Sequence, residues 1–187
     1  HAVQTFRVVV PQTLVPNDEE VTRIEQAIAE KVAAIPGVTS VGFASALPMD
    51  GTPPNWDGIL KEGESYAQGS VPPMRFYLNV SPGFFGSLGT RLKAGRDFTW
   101  SDLYSGRKSV LVSENLAREL WGSAQAAVGK RVRANDMDVW REVLGVVEDV
   151  RHLGAQEPAP AVVYWPVFGR LHYTQKTVAA RAAGFTA

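Results

Sequence analysis

The sequence predicts an α+β fold, and three observations carry that reading. The chain opens as strand, amphipathic helix, strand. Its character changes after Pro48 to turn-rich segments separated by short, β-branched runs. Beyond that point the helical patterns are brief, around Ser81–Phe85 and Glu114–Trp121.

The first strand follows from alternation, with Phe6, Val8 and Val10 on one face and Arg7 and Val9 on the other. Pro11 and Pro16 close it. A helix begins after Asn17 or Asp18, with Asp18, Glu19 and Glu20 placing negative charge at its positive end. Val21, Ile24, Ile28, Val32 and Ile35 recur at spacings of three and four, which makes one apolar stripe, and Pro36-Gly37 ends it. A second strand is predicted over Val38–Ala46.

From Asp50 to Gly58 the chain is rich in proline and glycine and carries Trp56; from Gly63 to Pro73 it is polar. A short strand over Gly58–Glu62 and another over Met74–Val80 fit a hairpin excursion. Ser81-Pro82-Gly83-Phe84-Phe85 predicts a capped short helix with proline in its first turn. Val110–Val112 is a short strand, after which Ser113 caps a helix over Glu114–Trp121 with Leu116 and Leu120 inward. Strands are predicted over Gly129–Arg133 and Trp140–Val143 around a polar turn at Asn135–Asp138. Further strands are expected over Leu144–Val150, Ala161–Val167 and Thr177–Arg181.

Composition narrows the function. With 19 basic and 19 acidic side chains the formal charge is zero, so the basic excess of a nucleic-acid binder is missing. The absence of cysteine excludes disulfides, thiolate catalysis and Cys-based zinc sites. The longest uncharged apolar stretch, Pro158–Gly169, is far shorter than the ~20 residues of a spanning helix. The first residue is His1, which predicts a processed or trimmed start.

The familiar catalytic patterns are missing. No G-x-S-x-G, H-E-x-x-H or EF-hand pattern occurs. Gly122 to Gly129-Lys130 spaces its glycines wrongly for a phosphate loop, and Arg131 stands where a hydroxyl would bind magnesium, so a turn between helix and strand is expected there. Asp149 and His152 suggest a relay, but three positions apart at a strand end they point to opposite faces. Asp136 and Asp138 read more simply as a hairpin turn than as a calcium site. Arg96-Asp97 and Asp149-Val150-Arg151 read as local ion pairs or turn locks. Trp56 and Trp100 stand in turn-rich surroundings, where an exposed aromatic can anchor a partner. Phe84, Phe85 and Trp165 are the side chains from which a binding pocket would be lined.

One ordered set of short blocks resembles a known family. Ser81-Pro82-Gly83-Phe84-Phe85 is followed by Leu88-Gly89, Leu92 and Gly95-Arg96-Asp97-Phe98. Val110–Arg118, Val128-Gly129-Lys130-Arg131-Val132 and Glu142–His152 come next, the last containing Gly145, Val146, Asp149 and Arg151. Pro36–Val41 with Leu47-Pro48 precede these blocks, and Val163–Pro166 follows them. In this order, and over nearly the whole chain, they resemble the MacB-like periplasmic core domain of MacB/FtsX-type ABC-transporter permeases, in wording nearest the duplicated orphan permeases of acidobacterial type.

The resemblance implies a two-lobe extracytoplasmic domain. A porter-like β-α-β lobe would comprise residues 1–48 and 151–187, and an inserted, mixed α/β, sabre-like lobe residues 49–150. The porter-like lobe would stop short of its second unit past Arg181. The domain would be non-catalytic, without cofactor or metal. It would couple transmembrane movement, driven by a cytoplasmic ATPase, to partner or substrate handling in efflux or export. Implied partners are the transmembrane part of the same chain, the ATPase indirectly and a periplasmic adaptor, with Trp56 as a candidate contact. Implied location is the periplasmic side of the bacterial inner membrane, anchored in the full-length protein; the isolated domain would be monomeric. The rivals are a stand-alone periplasmic small-molecule or peptide-binding module and a hydrolase using His152 with Asp149.

Overall fold

The computed structural model describes residues 2–11, 13, 15, 17–66, 72–135, 138–168 and 176–182. His1, His172 and Asp136 lie outside them.

The opening unit is β1 (Ala2–Val8), α1 (Asp18–Ala33) and β2 (Val38–Ala44). Asn17 caps α1, its side-chain oxygen accepting the N–H groups of Glu19 at 2.8 Å and Glu20 at 3.3 Å. The helix buries Val21, Thr22, Glu25 and Ala29, while Ile35 is exposed. The contact line is therefore turned by about one position from the aliphatic stripe, because α1 lies across both β2 and the last strand, β10 (Lys176–Ala182).

β10 runs antiparallel between β1 and β2, from Ala2↔Ala182 to Val8↔Lys176 on one side and along Val38–Ala44 on the other. β1 and β2 are thus parallel to each other with the last strand between them, and Ala2 of β1 pairs with Ala182 of β10. One bridge, Ala44↔Val80, joins this group to β4 (Met74–Val80).

The other strands are β3 (Asn55–Lys61), β5 (Leu92–Gly95), β6 (Ser109–Ser113), β7 (Arg131–Ala134), β8 (Arg141–Val147) and β9 (Val162–Pro166). Pairing runs β4–β3–β7–β8–β6–β9 and back to β4, a closed circuit of six strands, with β5 added alongside β8. Closure leaves β5, which pairs with β8 alone among the described residues, as the open edge of this part. β9 belongs to this circuit although it falls within 151–187, whereas β10 from the same stretch joins β1 and β2. The two strands predicted over 140–150 are one, β8. β3 starts earlier than expected and includes Trp56.

The short helices are α2 (Phe84–Leu88), α3 (Trp100–Tyr104), α4 (Glu114–Trp121) and α5 (Ala124–Ala127). One buried cluster takes Tyr77, Ile59, Val132, Val143, Val146, Val110, Val112 and Val163 from all six circuit strands and adds Leu116, Ala117, Ala124 and Ala127 from α4 and α5. A second lies on the opposite faces of four of these strands, β4, β6, β8 and β9, with Leu78, Val80, Leu111, Leu144, Val162 and Tyr164 beneath Phe84, Phe85, Phe98 and Leu103. A third, smaller one holds α1 on β2 through Phe43, Val41 and Ala29.

Candidate functional site

The Ser81–Phe85 block sits where the β1–β10–β2 group joins the six-strand circuit. Ser81 is fully buried and stitches the two: its hydroxyl accepts the Phe43 N–H at 2.7 Å, and its own N–H donates to the Phe43 carbonyl at 3.0 Å. Pro82 and Gly83 then turn the chain into α2. Gly83 has φ 82°, and a β-carbon there would stand 2.4 Å from the Val41 carbonyl oxygen. Phe84 and Phe85 drop into the core, Phe85 meeting the Tyr164 ring edge-on at 4.8 Å.

The next block repeats this device. Gly95 and Gly145 face each other between β5 and β8, where a β-carbon on Gly95 would stand 2.1 Å from the Leu144 carbonyl oxygen and one on Gly145 2.4 Å from that of Arg96. Arg96 then grips Asp102, not the adjacent Asp97, through paired hydrogen bonds of 2.7 and 2.8 Å. Arg96 reaches only the backbone carbonyl of Asp97. Asp102 also accepts from the Thr99 hydroxyl and N–H and completes a capping box on α3. The Arg96 guanidinium holds the Asp102 carboxyl well below the usual carboxylate range. Asp97 instead accepts the N–H groups of Phe98 and Gly83, and burial pushes its carboxyl upward. Phe98 and Val146 are core residues.

Asp149 caps α4 from outside the helix. Its Oδ1 accepts the Asn115 N–H at 2.8 Å and its Oδ2 meets Arg118 at 3.3 Å. Ser113 holds the N-cap position, as the sequence predicts, but its hydroxyl makes no capping bond and accepts the Val162 N–H at 2.9 Å. Arg151 does not pair with Asp149; it donates to the Ala155 carbonyl. Gly129 and Lys130 form the turn into β7, donating to Val143 and Ala127 carbonyls, with no helix N-terminus facing them to cradle a phosphate.

The His152 ring is buried and its Nε2 lies 3.5 Å from the Tyr164 hydroxyl. Burial pulls the imidazole down to about 4, and raises the Tyr164 phenol. With Asp149 turned to α4, the two do not form a relay. Phe84 and Phe85 lie in one core cluster and Trp165 packs against the other, because neighbouring residues 164 and 165 alternate across β9. The three therefore face different sides of β9. Asp138 accepts from Val139 and Ala134 N–H groups and pairs with Arg141, as a turn residue does. Trp56 stands 66% exposed on β3, opposite Phe76 of β4. Trp100 is half-buried against two of the clusters.

Beside this junction lies an open groove of about 470 Å³. Val3 and Thr5 of β1 form one side, and Leu88-Gly89-Thr90 at the end of α2 and Glu148–Arg151 after β8 form the others. Leu47-Pro48-Met49 completes it. Leu47-Pro48, Leu88-Gly89 and Glu148–Arg151, from three of the resembling blocks, thus converge with β1 on one concave surface. Met49 is left-handed at φ 60°, its N–H donates to the His152 carbonyl at 2.9 Å, and its side chain is 59% exposed.

Sequence reasoning missed Gly42, Asp102 and Met49. A glycine inside a strand signals a close backbone approach, and Thr99-x-x-Asp102 is the spacing of a capping box. Nothing local marks Met49. Among the described residues no group of His, Asp and Glu is arranged to hold a metal ion, and no helix is long and apolar enough to cross a membrane.

Comparison with solved structures finds the same fold in several domains, of which three are described. The periplasmic region of MacB from Actinobacillus actinomycetemcomitans matches at TM-score 0.55 and 14% identity, over 99% of this chain and 76% of that one. A domain of a putative permease protein from Porphyromonas gingivalis matches at 0.53 and 18%, over 86% and 69%. The extracellular domain of the noncanonic ABC-type transporter YknZ from Gram-positive bacteria matches at 0.53 and 17%, over 97% and 83%. At these identities the likeness is one of fold. The comparison with curated proteins finds no match. The family model of the MacB-like periplasmic core domain matches residues 3–184, and the chain therefore belongs to the family of MacB-like periplasmic core domains.

Proposed function

We propose that this domain is a non-catalytic mechanical element of an ABC-transporter permease. It passes movement driven by a cytoplasmic ATPase to substrate or partner handling outside the membrane, in efflux or export. The observation that carries this reading is the pairing of the first and last strands. β1 and β10 run side by side from Ala2↔Ala182, so two connections toward the membrane would enter the domain at adjacent strands. A push or pull on that pair reaches β2 through its ladder with β10, and the circuit through the Ser81–Phe43 stitch. The first joint is a backbone ladder and the second a backbone bond with the buried Ser81 hydroxyl beside it, and close-packed joints of this kind transmit displacement with little compliance.

The division into a porter-like lobe of 1–48 and 151–187 and an inserted lobe of 49–150 belongs to the same proposal, with β9 contributed to the circuit. Trp56, exposed on the circuit and far along the sequence from either end, is proposed as a contact for a periplasmic adaptor or an opposing protomer. The test uses the full-length permease with its ATPase in liposomes, with a fluorescent probe on the exposed Gln156 and an acceptor in the lipid headgroups. An ATP-dependent change in transfer efficiency is expected. Unchanged efficiency during active turnover overturns the mechanical reading.

A further inference from the structure

We propose that the groove between β1, the end of α2 and the segment after β8 binds a single-chain amphiphile with an anionic head. Its volume of about 470 Å³ falls within the roughly 300–1,000 Å³ of small-molecule sites. Val3, Leu47, Met49 and Leu88 supply the apolar lining. Met49 is the telling residue. Its backbone sits in a conformation that disfavours a side chain, and its flexible thioether is presented to solvent at the rim. Strain of this kind concentrates at ligand clamps, and methionine adapts readily to varied apolar surfaces.

The charges select the head. Three charged side chains line the groove. Glu148 is held by Arg91 and Asp149 by Arg118. Arg151 has no carboxylate partner among the described residues and donates to the Ala155 carbonyl. The acids are therefore neutralised in place, and the groove keeps one exposed guanidinium with donors to spare. A carboxylate or phosphate at Arg151 with an apolar chain over Val3, Leu47, Met49 and Leu88 satisfies both features. A cationic amphiphile satisfies only the second. The site does not rest on the mechanical role, so either can fail without the other.

The test follows the ε-methyl signals of Met49 and Met74 in the methionine-labelled chain. Dodecanoate is added below its micelle concentration, with dodecanol and dodecyltrimethylammonium as controls. A saturable shift of the Met49 signal with dodecanoate is expected, with Met74 on β4 unmoved. Arg151→Gln should weaken dodecanoate about tenfold and leave dodecanol unchanged. Val3→Asp, on the exposed side of the groove, should weaken dodecanoate as well. The proposal is overturned if there is no saturation below the micelle concentration, if all three head groups bind equally, or if dodecanoate binds Arg151→Gln undiminished. It is also overturned if the Met49 signal responds only to vesicles containing anionic lipid.

Discussion

Gly42 and Phe84 meet backbone to backbone: a β-carbon on Gly42 would stand 2.3 Å from the Phe84 Cα and 2.4 Å from its nitrogen. This contact seats α2 on β2 and, with the Ser81–Phe43 hydrogen bonds, makes the joint between the two groups of strands. Because the obstructing atoms are backbone, no rotamer change relieves a side chain at position 42.

Gly42→Ala is therefore expected to destabilise by about 1–3 kcal/mol, the usual range for overpacking. The measurement is urea unfolding, read as a lower midpoint at unchanged slope. Gly154→Ala is the control. Its β-carbon meets only a Glu157 side-chain carbon at 3.7 Å, and it should shift stability by no more than about 0.5 kcal/mol.

Asp102→Ala removes the Arg96 partner and the capping box of α3 together, for an expected loss of about 1–2 kcal/mol. The pH dependence has a definite sign. Arg96 holds the Asp102 carboxyl below its ordinary value in the folded state. Its contribution is complete above the unfolded value and is lost as pH falls through the folded one. Asp102→Asn should accordingly flatten the acid limb of a stability–pH curve. An acid limb identical to that of the unsubstituted protein would contradict the Arg96–Asp102 assignment.

Much of this joint was legible in the sequence, and the unread part has physical causes. α1 announced itself through a cap, acidic first-turn residues and 16 residues of period, enough for the pattern to repeat. α3 and α5, at 5 and 4 residues, complete too few turns to show one. The blocks around Ser81, Gly95 and Asp149 were visible as strings, but their partners were not. Arg96 skips its neighbour for Asp102, Asp149 caps a helix 34 positions away, and β10 inserts between β1 and β2 from the far end of the chain. Such pairings are set by topology, which local spacing does not encode.

Trp56→Ala should leave the isolated domain nearly as stable as before, within about 0.5 kcal/mol, because the side chain is 66% exposed. In the intact permease the same substitution is expected to weaken assembly with a periplasmic partner. Unaltered assembly and transport would remove Trp56 as a contact, while a large stability loss in the isolated domain would mean that it serves packing instead.

His152 gives a second pH window, distinct from that of Asp102. Burial lowers its imidazole from 6.5 to about 4, and the ring lies beside the Tyr164 hydroxyl with no carboxylate partner among the described residues. The unfolded chain binds the proton more readily than the folded one. Stability is therefore full above the unfolded value and declines as pH falls toward the folded value, below which no further loss arises from this group. The difference amounts to on the order of 3 kcal/mol. Urea midpoints taken between pH 7.5 and pH 4.5 should show the decline. His152→Phe should abolish that part of it, since phenylalanine needs neither a proton nor a partner for the buried Nδ1. If His152→Phe reproduces the original curve across this range, the imidazole is not buried neutral against Tyr164, and the packing assigned to the segment after β8 is wrong.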